Sequence, residues 1–192
     1  MFEKTSEEIN LLPLKSYSGK VFVIDSLKRM EKVCNNLCKA KTLGFDTESR
    51  PIFVKGVKRH TSLLQLYDGI NAYLFRLRMT GFQKCLKKIM ENPDIVKVGA
   101  AINDDINMLS KAGRFIPANF VDLQIEAKEL NITEISVKKL TANLLGFRIS
   151  KGQQTSNWDR KTLTPSQITY AATDAWVCYL LYYKMLEIKT LQ

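Results

Sequence analysis

The chain has 192 residues, 45% hydrophobic and 25% charged, with a formal net charge of +10. That length can bury one sizeable core, and that balance excludes a disordered chain. No apolar run reaches the length of a membrane-spanning helix, so no membrane partner is expected; the charge suits a polyanion, of which nucleic acid is the common case.

The N-terminus, MFEKTSEEIN, is charged and lacks the apolar core of a signal peptide. A cytoplasmic location is expected, nucleoid-associated, or nuclear where the cell has a nucleus. Cys34, Cys38, Cys85 and Cys178 form no Cys-x-x-Cys pair, and the one histidine, His60, is distant in sequence. Reduced thiols are expected rather than a zinc site.

Residues 1–19 read as a peripheral extension, with a capped helical turn at TSEEIN, and 20–192 as a single domain. KVFVIDS (20–26) is a predicted strand. The segment 26–40 repeats apolar residues at helical spacing: Leu27, Met30, Val33, Cys34 and Leu37. TLGFDTES (42–49) is a strand. Two more, 60–68 and 71–77, are joined by Asp68-Gly69, a hairpin signal. A helix is predicted over 81–92, a strand over 95–100 and a helix over 104–114. Residues 118–130 start extended and turn helical. A helix over 136–146 stops at glycine, and 150–161 is a polar loop. A long helix over 164–188 follows, with Thr164 as N-cap and Pro165 in the first helical position. Hairpins followed by alternating helix and strand predict an α/β fold, a mixed sheet flanked by helices.

Side chains alternate along a strand, so Asp46 and Glu48 share one face while Phe45 and Thr47 take the other. Two like charges side by side resist ionisation, and a divalent cation reverses that logic. Taken alone, the pair is better read as a solvated strand end, because a bare Asp-x-Glu is common. In NDDINMLSKAG, Asp105 falls on the face marked by Met108, Leu109 and Ala112, whereas Asn103 or Asp104 can cap the helix. Asp174 shares a face with Ala171, Val177, Cys178 and Leu181, with Tyr170 four residues earlier. A core tyrosine beside a hydrogen-bonded aspartate is the competing reading there. Four inward acids in a chain of net charge +10 have one common physical reason, a shared metal site.

FDTE, the aspartate of VGAAINDDINML and YAATDA resemble, in order and spacing, the DEDD superfamily of 3′-5′ exonucleases. The tyrosine four residues before the last aspartate marks the DEDDy branch. SNWDRKTLTPSQITYAATDA looks like the matching segment of the Werner-syndrome-type exonuclease domain and of RNase D. LLQLYDGINAYLF and KLTANLLG extend the resemblance over about residues 20–188.

The resemblance implies an RNase H-like (DnaQ-like) fold with a five-stranded mixed sheet. It implies metal ligands at Asp46, Glu48, Asp105 and Asp174, with Tyr170 orienting the attacking water. The implied reaction is hydrolysis at a 3′ end, by a two-metal-ion mechanism with Mg²⁺ or Mn²⁺, releasing 5′-nucleoside monophosphates. Asp46 is the implied bridging ligand. Thr47, Ser49, Ile102 and Asn103 are candidates to border the terminal nucleotide. Trp158 either stacks on a base or anchors its loop. Asn157, Arg160 and Lys151 are candidate phosphate contacts; for the two basic residues, solvated loop charges are the alternative. Arg50 and the run KGVKRH (55–60) are candidates for tracking the strand. His60 reads as a surface residue at a strand start.

DNA is favoured over RNA as the substrate through the Werner-type match. RNase D-like RNA trimming is the alternative, and a noncatalytic nucleic-acid-binding module a further one. A small-molecule nucleotidase fits poorly with the net charge. No helicase motif is present, so a free-standing exonuclease domain is expected, and the sequence names no protein partner.

Overall fold

The computed structural model describes residues 4–51 and 60–191. Its elements are α1 (Ser6–Leu11), β1 (Val21–Ile24), α2 (Leu27–Leu37), β2 (Thr42–Ser49), β3 (Thr61–Tyr67), β4 (Ala72–Arg76), α3 (Leu77–Thr80), α4 (Lys84–Met90), β5 (Val96–Gly99), α5 (Asn103–Ala112), β6 (Phe120–Asp122), α6 (Leu123–Glu129), α7 (Val137–Leu140), a π-helical turn (Thr141–Leu145) and α8 (Pro165–Thr190).

The sheet is mixed, as predicted, in the order β1-β4-β3-β2-β5-β6. It has six strands rather than five. The added strand is the extended start of 118–130, which pairs in parallel with β5 through Lys97–Phe120, Val98–Val121 and Gly99–Asp122. The β2-β3-β4 centre is antiparallel; β1 joins β4, and β5 joins β2, in parallel. Gly69 closes the β3-β4 hairpin at φ +94, in the region glycine enters freely.

Each face of the sheet carries its own core. On one, Phe45, Leu64, Leu66 and Phe75 meet Met30 and Cys34 of α2, Leu86 and Ile89 of α4 and Leu109 of α5. On the other, α8 lies across the centre, with Ala171 in a cluster with Leu63 and Leu74, and Ala172 and Ala175 with Tyr67 and Ala72. Gly44 permits this seat, since a Cβ there would collide with the carbonyl oxygen of Ala175. The close approach brings Asp174 down beside β2. Helix α8 starts as predicted, with Thr164 and Gln167 forming a capping box and Pro165 in the first turn.

Three predicted helices differ in detail. The one expected over 81–92 is shorter, running as α4 from Lys84 to Met90, while a separate turn of helix, α3, follows β4 where the predicted strand 71–77 was to end and is closed by Gly81 at φ +65. The one expected over 136–146 becomes π-helical after one turn. There the Thr141 hydroxyl donates to the Val137 carbonyl at 2.6 Å, competing with the regular backbone ladder. It ends at Gly146 in the left-handed region, as expected. In α5 the N-cap is Ile102 without a side-chain cap, so neither Asn103 nor Asp104 caps it, and Ala112 is exposed rather than part of the buried face.

The segment expected to be peripheral packs on the body. Thr5 caps α1 and Ile9 is buried. Leu14 bridges to Arg148, the Tyr17 N–H donates to the Thr173 hydroxyl at 3.0 Å, and the Tyr17 ring meets Tyr67 edge-on. No helix among the described residues is long and apolar enough to cross a membrane.

Candidate active site

Strand β2 ends in alternation. Asp46 and Glu48 are half-buried on the α8 side, and Phe45, Thr47 and Ser49 are buried on the other. Helix α8 places Asp174 above them. The carboxylates of Asp46, Glu48 and Asp174 each offer an oxygen within 4.8 Å of the others. They line an open pocket of about 360 Å³ together with Tyr170 and Ala101.

The cluster stores electrostatic cost. Burial, then the charges of Asp174, Glu48 and Asp105, hold the Asp46 carboxyl well above the ordinary carboxylate range. Burial also raises Asp174, opposed by a hydrogen bond from the Tyr170 hydroxyl. Burial raises Tyr170 as well, and then the carboxylates of Asp174, Glu48 and Asp46, so its hydroxyl keeps its proton at neutral pH. An all-oxygen donor set of crowded carboxylates fits a hard divalent cation, which would relieve the repulsion that raises them.

Asp105 stands just outside this triple. Its charge reaches Asp46, and its carboxylate accepts a hydrogen bond from the Thr47 hydroxyl. The structure thus brings Asp46, Glu48, Asp174 and Tyr170 together, with Asp105 adjoining.

The expected nucleotide contacts divide. Lys151 is exposed and lines the pocket. Arg50, Asn103, Asn157 and Arg160 are exposed near its surroundings in sequence, but none lines it. Thr47 lines the pocket, yet its hydroxyl serves Asp105. Ser49 is turned to α5, with its hydroxyl 3.8 Å from the Met108 sulfur.

Burial bears on two of the expected contacts. Ile102, expected to border the terminal nucleotide, packs its side chain in the core beside Gly99, so in this arrangement the side chain is not presented to the pocket. Trp158 is fully buried in the cluster of Leu63, Leu74, Leu163 and Ala171, so it anchors its loop and stacks on no base. Its ring lies beside that of Tyr170.

Of the run 55–60, residues 55–59 lie outside the described residues. His60 is half-exposed, with Nε2 3.2 Å from Asp159. Asp159 ties the loop down: it accepts from the Ser62 hydroxyl at 2.8 Å, and its carbonyl accepts from Arg78 at 2.7 Å. Burial pushes its carboxyl up, but Ser62, His60 and Arg78 outweigh that and hold it below the usual range.

Sequence reasoning missed other lining residues: Gln124, Ser136, Lys138, Ser150 and Gln154. They come from helix starts and loops with no periodic signal. It also missed Asp122, whose carboxylate accepts the N–H groups of Ala101 and Ile102, both at 3.1 Å, and of Gln124 at 2.9 Å. Asp122 thereby holds the turn that leads into α5, where Ala101 sits at φ +55.

A family model described as 3′-5′ exonuclease matches residues 21–189. The chain belongs to the 3′-5′ exonuclease family. Its RNase H-like, DnaQ-like fold is shared with the Aedes aegypti Nibbler EXO domain, at a TM-score of 0.83 and 22% identity, over 93% of this chain and 94% of that one. The chain is 29% identical to a Ribonuclease D of Haemophilus influenzae over 84% of its own length and 40% of that protein's. It is 32% identical to the mouse bifunctional 3′-5′ exonuclease/ATP-dependent helicase WRN, over 81% of this chain and 12% of that protein. The chain therefore spans less than half the length of the Ribonuclease D and WRN relatives. Divalent metal ions are the family's cofactors, and the acidic cluster is compatible with them.

Proposed function

We propose that this chain is a metal-dependent 3′-5′ exonuclease that hydrolyses the terminal phosphodiester bond of nucleic acid and releases 5′-nucleoside monophosphates. The observation that carries the reading is the convergence of Asp46, Glu48 and Asp174 within 4.8 Å at the floor of an open pocket. Asp46, Glu48, Asp105 and Asp174 are the residues that would hold two divalent cations, Mg²⁺ or Mn²⁺. When bound, such ions supply Lewis-acid stabilisation of phosphate charge and a water acidic enough to attack near neutral pH.

The remaining chemistry falls to the chain's own groups. Tyr170 keeps its proton, so it acts as a hydrogen-bonding orienter of the attacking water rather than as its base. Its bond to Asp174 sets the direction of the hydroxyl. Lys151 at the pocket wall offers a charge for a phosphate of the bound strand.

DNA is the polymer proposed from the Werner-type resemblance. The relative named Ribonuclease D, similar over 84% of the chain, favours RNA as the second reading. The test is direct. Purified protein is incubated with 3′-labelled and 5′-labelled DNA and RNA, in Mg²⁺, Mn²⁺ or EDTA. Mononucleotide release from the 3′ end that stops in EDTA is expected, faster on DNA. No release from any substrate in either metal would overturn the reading, and faster release from RNA would replace its first polymer with its second.

A further inference from the structure

Gln65 is fully buried at the centre of the sheet, and neither its amide nitrogen nor its amide oxygen finds a hydrogen-bond partner among the described residues. An unpaired buried amide costs stability, and an apolar side chain of the same shape would not. The reason for a glutamine here has to lie outside the packing of the fold.

Its position supplies one. In the β2-β3 ladder Gln65 stands directly opposite Asp46, and in the β3-β4 ladder opposite Leu74. Directly opposed residues of an antiparallel pair point to the same face, with Cβ atoms about 4.5–5.5 Å apart. The row therefore runs from acid to amide to hydrocarbon, passing from the pocket floor into the core under α8. A glutamine has the reach to meet the Asp46 carboxylate from its buried side. It also has the right chemistry, because an amide donates hydrogen bonds without adding charge. A lysine there would neutralise the cluster and compete with a cation, and a second carboxylate would add to the crowding.

We propose that Gln65 is a positioning residue for Asp46: its amide, unpaired in this arrangement, donates to the Asp46 carboxylate when that carboxylate turns to a cation, and so holds it toward the cation site. This rests on the reading of Asp46 as a cation ligand. Carboxylate ligands are commonly fixed by such outer hydrogen bonds, whose loss costs about 10- to 100-fold in metal affinity.

The test uses Gln65→Met and Gln65→Leu, which keep the volume and delete the polar atoms. Mn²⁺ affinity is measured by calorimetry without nucleic acid, melting temperature in EDTA, and turnover separately. Both variants are expected to melt at or above the wild-type temperature in EDTA while binding Mn²⁺ about 10-fold or more weakly, with kcat reduced and KM unchanged. Mn²⁺ affinity within twofold of wild type in both variants would overturn the proposal. So would a fall of several degrees in both EDTA melts, since that is the mark of a purely structural glutamine. If wild type binds Mn²⁺ and the variants bind it weakly but no substrate is cut, the exonuclease reading fails and the role of Gln65 stands. If the wild type cuts DNA or RNA and the variants match it in affinity, the role of Gln65 fails alone.

Discussion

The indole of Trp158 and the ring of Tyr170 lie 6.1 Å apart, centroid to centroid, inclined by 41°. The tryptophan is wholly buried and the tyrosine half-exposed at the pocket, so the loop that carries Trp158 braces the proposed water-orienting group from behind. Trp158→Ala is expected to cost about 3–5 kcal/mol of stability and to lower kcat. Trp158→Phe should restore much of both. Denaturant melts beside single-turnover rates check this; full turnover by a folded Trp158→Ala protein would contradict the bracing role.

Neutralising one member of the acid cluster should separate stability from activity. Asp46→Asn and Asp174→Asn each remove a repelling charge and are expected to raise the melting temperature in EDTA by about 2–4 °C, equivalent to about 1 kcal/mol. Both should lose detectable turnover. Wild type should melt higher on adding Mn²⁺, by an increment reaching about 2.7 kcal/mol at a hundred times Kd. The variants should show little of this gain. Differential scanning fluorimetry across a Mn²⁺ titration reads all three outcomes, and a variant that responds like wild type would remove that residue from the ligand set.

Lys97 is fully buried, with Nζ donating to the carbonyls of Asn92 at 2.8 Å and Ile95 at 2.7 Å and lying 5.1 Å from the Phe120 ring centre. Burial pulls its pKa down from 10.5 to about 8. The folded pKa is thus below the unfolded one, so between these values the unfolded chain binds more protons and stability rises with pH. Below pH 8 the penalty is fully present, at most about 3 kcal/mol. Urea melts of wild type and Lys97→Met at pH 7, 8 and 9.5 should show wild type gaining on the variant as pH rises; parallel curves would exclude a titrating Lys97.

Asp122 collects three backbone N–H groups and fixes the turn that carries Ala101 into α5. Asp122→Ala is expected to cost about 1–3 kcal/mol and to lower turnover, because the wall of the pocket and the helix bearing Asp105 both hang from that turn. Ala101→Gly relieves the positive φ and should recover part of the lost stability in the Asp122→Ala background. Thermal melts of the single and double variants decide it, and strict additivity would argue that the two are uncoupled.

Much of the fold was legible because its signals are local. Alternation marked β2, Asp68-Gly69 marked the hairpin, and Thr164-Pro165 marked the start of α8. The errors were equally physical. The extended start of 118–130 was legible, but three residues are too few to show that β6 joins the sheet as a sixth strand, and the Thr141 hydroxyl altered a helix that was expected to run regularly to its glycine stop. Trp158 could be read as stacking on a base or as anchoring its loop, and its polar neighbours say nothing of the pit formed by Leu63 and Leu74 that decides for the anchor.

By itself the sequence determined the chemistry of the acids and the face each would take, because strand and helix periods dictate direction over a few residues. It also carried the family through the order and spacing of those acids. Only the tertiary structure decided that Asp46, Glu48 and Asp174 converge, because their meeting depends on α8 crossing β2 at Gly44, 130 positions before Asp174 in the chain. Only it showed Asp105 held by Thr47, Tyr170 braced by Trp158, and Gln65 facing Asp46 from inside the sheet. Those relations join residues far apart in the chain, and contacts of that kind leave no period to read.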